Sequence, residues 1–178
     1  IVNRNRLVLG YQAILAPFIP LWYFGEEFNL QAYKQVFYFV PVDWTLLDDA
    51  DNKMFFEDIK KYIKIRLTYP EIFTYYPENH KNSNICKVTA EGSSLQAYAR
   101  FAGNKGIIVV PNNDSQDITN YKITIPFDNM NLTPYTTFTI IDLMNDKIIA
   151  SGTKEQIAMF TANVKFEHIG VYLIEVNN

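Results

Sequence analysis

The sequence predicts an α+β fold, in which a helical N-terminal segment precedes an antiparallel Greek-key β-sandwich of about eight strands. In the first half, apolar residues recur every three to four positions, which is typical of amphipathic helices. After residue 77 the pattern changes to short runs rich in Val, Ile, Thr, Tyr and Phe, separated by Gly, Asn and Asp. With 178 residues, 48% hydrophobic and 20% charged, the chain can bury a core and is too apolar for disorder.

The first segment combines a helix with a strand of unusual pattern. Apolar spacings of three and four predict a helix over residues 4–16, which Pro17 and Pro20 end. The following segment, Ile19 to Phe24, is apolar on both alternating faces and stops at Gly25. Such a pattern predicts a strand buried between two layers, as in a parallel sheet, and this strand needs neighbours on both edges.

A second helix is predicted from Met54 until Pro70, with Asp51 or Asn52 as its cap. Its apolar side comprises Phe55 or Phe56, Ile59, Tyr62, Ile63 and Leu67. Its basic side comprises Lys60, Lys61, Lys64 and Arg66. Because Glu57 and Asp58 lie among these cations, the pattern favours a solvated face over a nucleic-acid site.

The rest of the chain is predicted to be β-structure. The polar stretch ENHKNSN marks a boundary between domains at residues 1–77 and 78–178. The candidate strands cover residues 85–90, 95–101, 106–111, 120–126, 136–143, 147–151, 156–162 and 169–176. No long linker separates the two parts, so we expect them to pack on each other.

The order of these pieces resembles the C-terminal part of the alpha-amylase superfamily. AILAPFIPLWYFGEEF is similar to the last helix-to-strand passage of that (β/α)8 barrel, and IKIRLTYPEIF is similar to its closing helix. LQAYARF, GIIVVPNN, YKITIPF, TTFTIIDLMNDK and GVYLIEV resemble strands of the sandwich that follows the barrel. The resemblance implies that residues 1–77 end a catalytic barrel and that residues 78–178 form a sandwich which stabilises it.

The resemblance further implies a glycoside hydrolase that acts on glycosidic bonds, commonly in an α-glucan, without a cofactor. In the resembling family the catalytic carboxylates come from earlier barrel strands, so this chain by itself is expected to be inert. Glycoside cleavage needs two carboxylates about 5 to 10 Å apart. Glu26 and Glu27 would point to opposite faces if they continued the strand. If they instead start the loop, they lie where barrel enzymes bind substrate.

Aromatic and acidic residues give further candidates. Trp22 and Trp44 could stack on sugar rings or fill a core; the core is favoured for Trp22, and both readings stay open for Trp44. Glu26, Glu27 and Trp44 are therefore the substrate-proximal candidates. The cluster Asp48, Asp49 and Asp51 supplies oxygen ligands, but its spacing is not that of an EF-hand, and a solvated loop with a helix cap is favoured over a metal site. His80 and His168 lack partners at zinc-ligand spacing and are interpreted as surface or packing residues.

Charge and hydropathy limit the classes of partner that the chain could have. A net charge of -3 argues against nucleic acid, and the apolar run Ile14 to Phe24 is too short and too proline-rich to span a bilayer. Carbohydrate is the expected partner, through the parent enzyme. An isolated barrel strand would expose apolar surface, so residues 1–45 are expected to pack on the closing helix, form a homodimer through the barrel remnant, or leave the strand conformation. Export is left open; a parent that degrades polysaccharide would be secreted or periplasmic.

Two alternatives to the enzyme tail stay open at this point. In one, the sandwich is a carbohydrate-binding module that uses exposed aromatics such as Tyr75, Tyr76, Tyr98 or Tyr135. In the other, it is an adhesion or scaffold domain.

Overall fold

The computed structural model describes residues 5–15, 24–30, 41–73, 84–91 and 96–177. Its α-helices are α1 (Asn5–Leu15), α2 (Ala50–Thr68) and α3 (Pro70–Phe73), with short 3-10 helices at Glu26–Phe28 and Trp44–Asp48. Its strands are β1 (Ile85–Lys87), β2 (Thr89–Ala90), β3 (Tyr98–Ala102), β4 (Lys105–Pro111), β5 (Ile118–Thr124), β6 (Thr137–Asp142), β7 (Lys147–Thr153), β8 (Met159–Val164) and β9 (Ile169–Val176). The predicted α+β class with a β-sandwich is confirmed.

The strands form two antiparallel sheets. The larger sheet has the order β1-β3-β4-β9-β6-β7 and the smaller has the order β2-β5-β8. The last strand, β9, inserts between β4 and β6, which is the long-range return of a Greek-key arrangement. The predicted strand 85–90 divides into β1 and β2 because the chain crosses between the sheets at buried Val88.

One core lies between the two sheets. On the larger sheet, alternate residues of β4, including Ile108 and Val110, point into it together with Ile174 of β9. On the smaller sheet, Ile123 of β5 and Phe160 of β8 face them. On β5 and β8 these buried positions alternate with exposed ones, which is the period-2 pattern of the sequence.

A second core covers the opposite face of the larger sheet. The intervening residues Ile107 and Val109 of β4 pack with Ile14 of α1 and with Ile59 and Tyr62 of α2. The centre of the sheet, β4 and β9, is therefore buried on both faces. This arrangement confirms that the helical part packs on the sandwich.

Gly10 allows α1 to lie close to its neighbours. A β-carbon at this position would come within 2.7 Å of a Tyr62 ring carbon on α2 and 2.9 Å of the Ile169 side chain on β9. Because real β-carbons need more room than this, a residue without a side chain is required for the observed approach.

The start of α2 differs from the prediction. Asp49, and not Asp51 or Asn52, is the N-cap, and its carboxylate accepts hydrogen bonds from Asp51 N at 3.0 Å and Asn52 N at 2.9 Å. All three residues are capping types, so sequence alone could not select among them. The helix consequently begins at Ala50, earlier than its apolar period indicates.

Several predictions fall on residues outside the described ranges. They concern the strand Ile19 to Phe24 apart from Phe24 itself, the domain boundary at residue 77, and the side chains of Trp22, Tyr75, Tyr76 and His80. Phe24 lies in a turn and is 61% exposed. Among the helices of the described ranges, none has the length and hydropathy needed to cross a bilayer.

Candidate functional site

An aromatic cluster forms beside the N-terminus of α2. Phe28 lies at its centre, with its ring centroid 5.6 Å from that of Trp44, 6.4 Å from that of Phe24 and 6.1 Å from that of Phe56. Phe24 also contacts Trp44 edge-to-face at 5.6 Å. We call these four residues the aromatic cluster. It joins segments that are distant in the sequence.

The cluster has a buried anchor and an exposed platform. Phe28 is fully buried, whereas Trp44 is 56% exposed. The Trp44 and Phe28 rings are stacked, with an angle of 27° between their planes. Trp44 is therefore not a core residue. An indole fixed from below and open to solvent can stack on the apolar face of a sugar ring.

Glu26 and Glu27 lie beside this cluster in a 3-10 turn, not on a strand. Gly25 precedes the turn with a φ of 96°, and a β-carbon there would lie 2.6 Å from the Leu30 side chain. A Glu27 carboxylate oxygen accepts a hydrogen bond from Gly25 N at 2.8 Å. Both glutamates are half-buried, and the carboxylate of Glu27 stabilises the turn in which it lies.

Hydrogen bonds fasten the segment that carries Trp44. The Asp43 carboxylate caps the 3-10 helix by accepting from Thr45 N at 3.1 Å and Thr45 Oγ1 at 2.6 Å. Asn52 Nδ2 of α2 donates to Leu46 O at 3.1 Å. These hydrogen bonds fix the segment that carries the exposed indole to the N-terminal end of α2, and such support is what a binding site needs.

The acidic cluster of the same loop has structural partners. Asp49 caps α2, and Asp51 forms an ion pair with Arg6 at 3.1 Å. Asp48 is exposed at the end of its 3-10 helix. Across the residues with described positions, no group of three His, Cys, Asp or Glu side chains could hold a metal ion.

Sequence reasoning missed a buried polar cluster between the helices and the sandwich. Arg6 of α1, Asp58 of α2 and His168 before β9 meet there, with Arg6 and Asp58 each 8% exposed. Burial raises the pKa of Asp58, and the charge of His168, when it is protonated, and that of Arg6 oppose this effect. Asp58 lies four residues before Tyr62 and one before Ile59, on the buried side of α2. That spacing could have indicated a buried carboxylate.

A second missed residue is Arg100 of β3, which is only 1% exposed. Its Nε donates to Ile72 O at 3.0 Å and its Nη2 donates to Asn84 Oδ1 at 2.6 Å. Burial lowers the pKa of Arg100 to about 10. The guanidinium therefore joins the end of α3 to the sandwich.

The sandwich offers fewer exposed aromatics than the sequence suggested. Tyr98 was a candidate for sugar contact, but it is 3% exposed and packs edge-to-face on Tyr11 at 5.1 Å. The expectation of an exposed Tyr98 is wrong because its face of β3 lies under α1. Tyr135 is half-buried against the sandwich core.

The chain was compared with family models, curated protein sequences and solved structures. No family model and no curated protein sequence matches the chain. Solved structures do match. The alpha-amylase of Geobacillus thermoleovorans, in complex with acarbose, gives a TM-score of 0.62 at 15% identity, over 98% of this chain and 33% of that one. An alpha-amylase of Anoxybacillus gives 0.60 at 16% identity, over 99% and 33%.

Two further structures extend this comparison. A noncanonic maltogenic alpha-amylase of Thermotoga neapolitana gives a TM-score of 0.63 at 14% identity, over 99% of this chain and 38% of that one. A putative alpha-N-acetylgalactosaminidase of Bacillus halodurans gives 0.53 at 11% identity, over 99% and 32%. The predicted resemblance to the alpha-amylase fold is confirmed. The chain spans about one third of the length of these structures.

Proposed function

We propose that this chain is the C-terminal part of a glycoside hydrolase. Residues 1–77 end its (β/α)8 catalytic barrel, and residues 78–178 form the sandwich that stabilises the barrel. The catalytic carboxylates belong to the parent outside this chain, so the chain alone is inert. The parent acts on a glycosidic bond, with an α-glucan as the favoured substrate.

The observation that carries this proposal is the extent of the structural match. The match includes both the helical part and the sandwich, and it covers 98% or 99% of this chain but only 33% to 38% of each of three alpha-amylases. A sandwich alone is a common architecture, whereas a sandwich with this helical layer on one face is a more specific combination. The shared core between helices and larger sheet supports a stabilising role.

The aromatic cluster is the proposed contact with carbohydrate. Trp44 supplies the stacking face, and the half-buried Glu26 and Glu27 supply hydrogen-bond acceptors beside it. In a barrel enzyme this turn would follow the last strand, at the end where substrates bind. The sugar would gain contact area on Trp44 without displacing Phe28.

Two measurements on the chain test the proposal. Incubation with soluble α-glucans should release no reducing ends. In calorimetric titration with maltooligosaccharides, we expect at most weak heat, and Trp44→Ala should abolish it. Leu67→Ala is the matched control, because Leu67 is exposed on α2, 73% by area, and outside the cluster. Hydrolysis by the chain, or strong binding that survives Trp44→Ala, would contradict the proposal.

The coding sequence before Ile1 gives an independent test. We expect it to encode the earlier barrel strands, with two acidic residues at the carboxyl ends of those strands. A preceding sequence without such a pair would overturn the enzyme assignment. The binding module remains the second candidate, and strong glucan binding insensitive to Trp44→Ala would favour it.

A further inference from the structure

The buried polar cluster joins three separate elements through one imidazole. Arg6 Nη1 of α1 lies 3.2 Å from His168 Nε2, and Asp58 Oδ2 of α2 lies 3.4 Å from the same nitrogen. His168 Nδ1 lies 2.6 Å from the Phe166 carbonyl oxygen. The side chain of His168 is 16% exposed and that of Asp58 is 12% exposed. The imidazole therefore lies between a cation and an anion that compete for one ring nitrogen.

The chemistry of the four groups fixes where the imidazole protons lie. A carbonyl oxygen only accepts, so Nδ1 must carry a hydrogen to bind Phe166 O. A guanidinium only donates, so Nε2 must offer a lone pair to Arg6. The observed geometry is thus that of a neutral imidazole protonated at Nδ1. Asp58 Oδ2, which is also an acceptor, consequently has no hydrogen-bond partner although it is buried.

We propose that His168 is a proton-operated joint between the helical layer and the sandwich. When neutral, it accepts a hydrogen bond from Arg6 on α1. When protonated, it donates from Nε2 to Asp58 on α2. Addition of one proton therefore changes the hydrogen-bond partner of His168 from a residue of α1 to a residue of α2.

The surroundings support an exchange between two defined partners. Arg6 keeps hydrogen-bond partners when it loses His168, because it also donates to Asp51 O at 2.8 Å and pairs with Asp51 Oδ1 at 3.1 Å. Protonation gives buried Asp58 Oδ2 the donor it lacks, and a buried acceptor without a donor is costly. Each protonation state of His168 therefore gives Nε2 one defined partner, which is Arg6 in the neutral state and Asp58 in the protonated state.

Other charged groups around His168 affect the protonation of its partner Asp58. Lys61 of α2 and Lys165, together with Arg6 and His168, lower the pKa of Asp58, against the larger raising effect of burial. Tyr62 of α2 is buried beside Asp58. Burial, together with the charge of Asp58, raises the pKa of the Tyr62 hydroxyl far above its usual value.

The joint also has access to solvent. Asp58 and His168 line a cleft of 390 Å³, which Asp142 and Tyr172 of the larger sheet also line. A proton can therefore reach the imidazole without unfolding of the chain.

Nitrogen-15 NMR of the full chain tests the proton positions directly. The variant His80→Gln leaves His168 as the single histidine. At about pH 8 we expect the neutral tautomer with hydrogen on Nδ1, and at about pH 5 hydrogen on both nitrogens with a new coupling from Nε2–H toward a carboxylate. Hydrogen on Nε2 at about pH 8, or no titration of His168 while the chain stays folded, would overturn the proposal.

Double-mutant cycles test the exchange of partners. Arg6→Met with His168→Ala measures one pair, and Asp58→Asn with His168→Ala measures the other. At about pH 8 the Arg6 pair should change the unfolding equilibrium constant at least about twofold beyond additivity, and at about pH 5 the Asp58 pair should do so instead. Couplings that are equal at both pH values would refute the joint. If a variant does not fold, the NMR titration of the His80→Gln chain still decides.

Discussion

Phe28 should contribute far more to stability than Phe24, although both belong to the aromatic cluster. Phe28 is fully buried between three aromatic rings, and Phe24 is 61% exposed. Removing a buried phenylalanine ring costs about 3 to 5 kcal/mol, from lost transfer free energy and the cavity left behind. Phe24→Ala loses mainly edge-to-face contacts, which are worth about 0.5 to 1.5 kcal/mol each.

Urea denaturation followed by circular dichroism measures this difference. With a denaturant slope of about 2 kcal/mol per molar urea, Phe28→Ala should lower the midpoint by about 2 M. Phe24→Ala loses two edge-to-face contacts, together worth about 1 to 3 kcal/mol, and should lower the midpoint by about 0.5 to 1.5 M, less than Phe28→Ala. Ile148→Ala, on the exposed face of β7 at 63% exposure, is a control expected to stay within about 0.5 kcal/mol of the parent.

The outcome is informative in either direction. Equal losses for Phe28→Ala and Phe24→Ala would refute the buried-anchor reasoning, because burial is the main difference between them. Two separate unfolding transitions would show that the cluster unfolds apart from the sandwich, against the shared core seen on the larger sheet.

Three further perturbations follow from the described contacts. Asp49→Ala removes two capping hydrogen bonds from α2 and should cost about 1 kcal/mol, measured by thermal denaturation. Burial raises the pKa of the Cys86 thiol to about 11, so at pH 8 alkylation with iodoacetamide should be about 100-fold slower than for an ordinary thiol and should recover in urea. Arg100→Met leaves Asn84 Oδ1 without its charged donor and should lower the free energy of unfolding by at least about 2 kcal/mol. Arg100→Lys should not restore this stability, because an ammonium group cannot reproduce the guanidinium geometry that reaches both Asn84 Oδ1 and Ile72 O.

The sequence predicted the sandwich well because its strands follow a simple period. In β6, β8 and β9 the side chains alternate or remain apolar as the burial requires, and the predicted ranges differ from the observed bounds by a few residues at most. The crossing at Val88 was missed because a strand that changes sheets keeps the same local pattern on both sides. Period alone does not specify which sheet a strand joins.

The candidate site was predicted only in part. Trp44 and the two glutamates were selected, and the structure places them near one another, but Phe28 as the anchor beneath Trp44 was not foreseen. A single phenylalanine in a mixed segment has no periodic signal. The partners of His168 were missed for a related reason, because Arg6 and Asp58 are 162 and 110 positions away from it in sequence. Contacts of that range arise from tertiary packing and leave no local pattern.

The larger sheet also limits how this architecture can be recombined. Grafting the sandwich without α1 and α2 onto another protein would leave the outward side chains of β4 and β9, such as Ile107 and Val171, without the helices that they pack against. A productive swap would have to carry α1 and α2 along with the strands. The smallest unit to transfer in engineering is then a three-layer block of the two helices, the larger sheet and the smaller sheet.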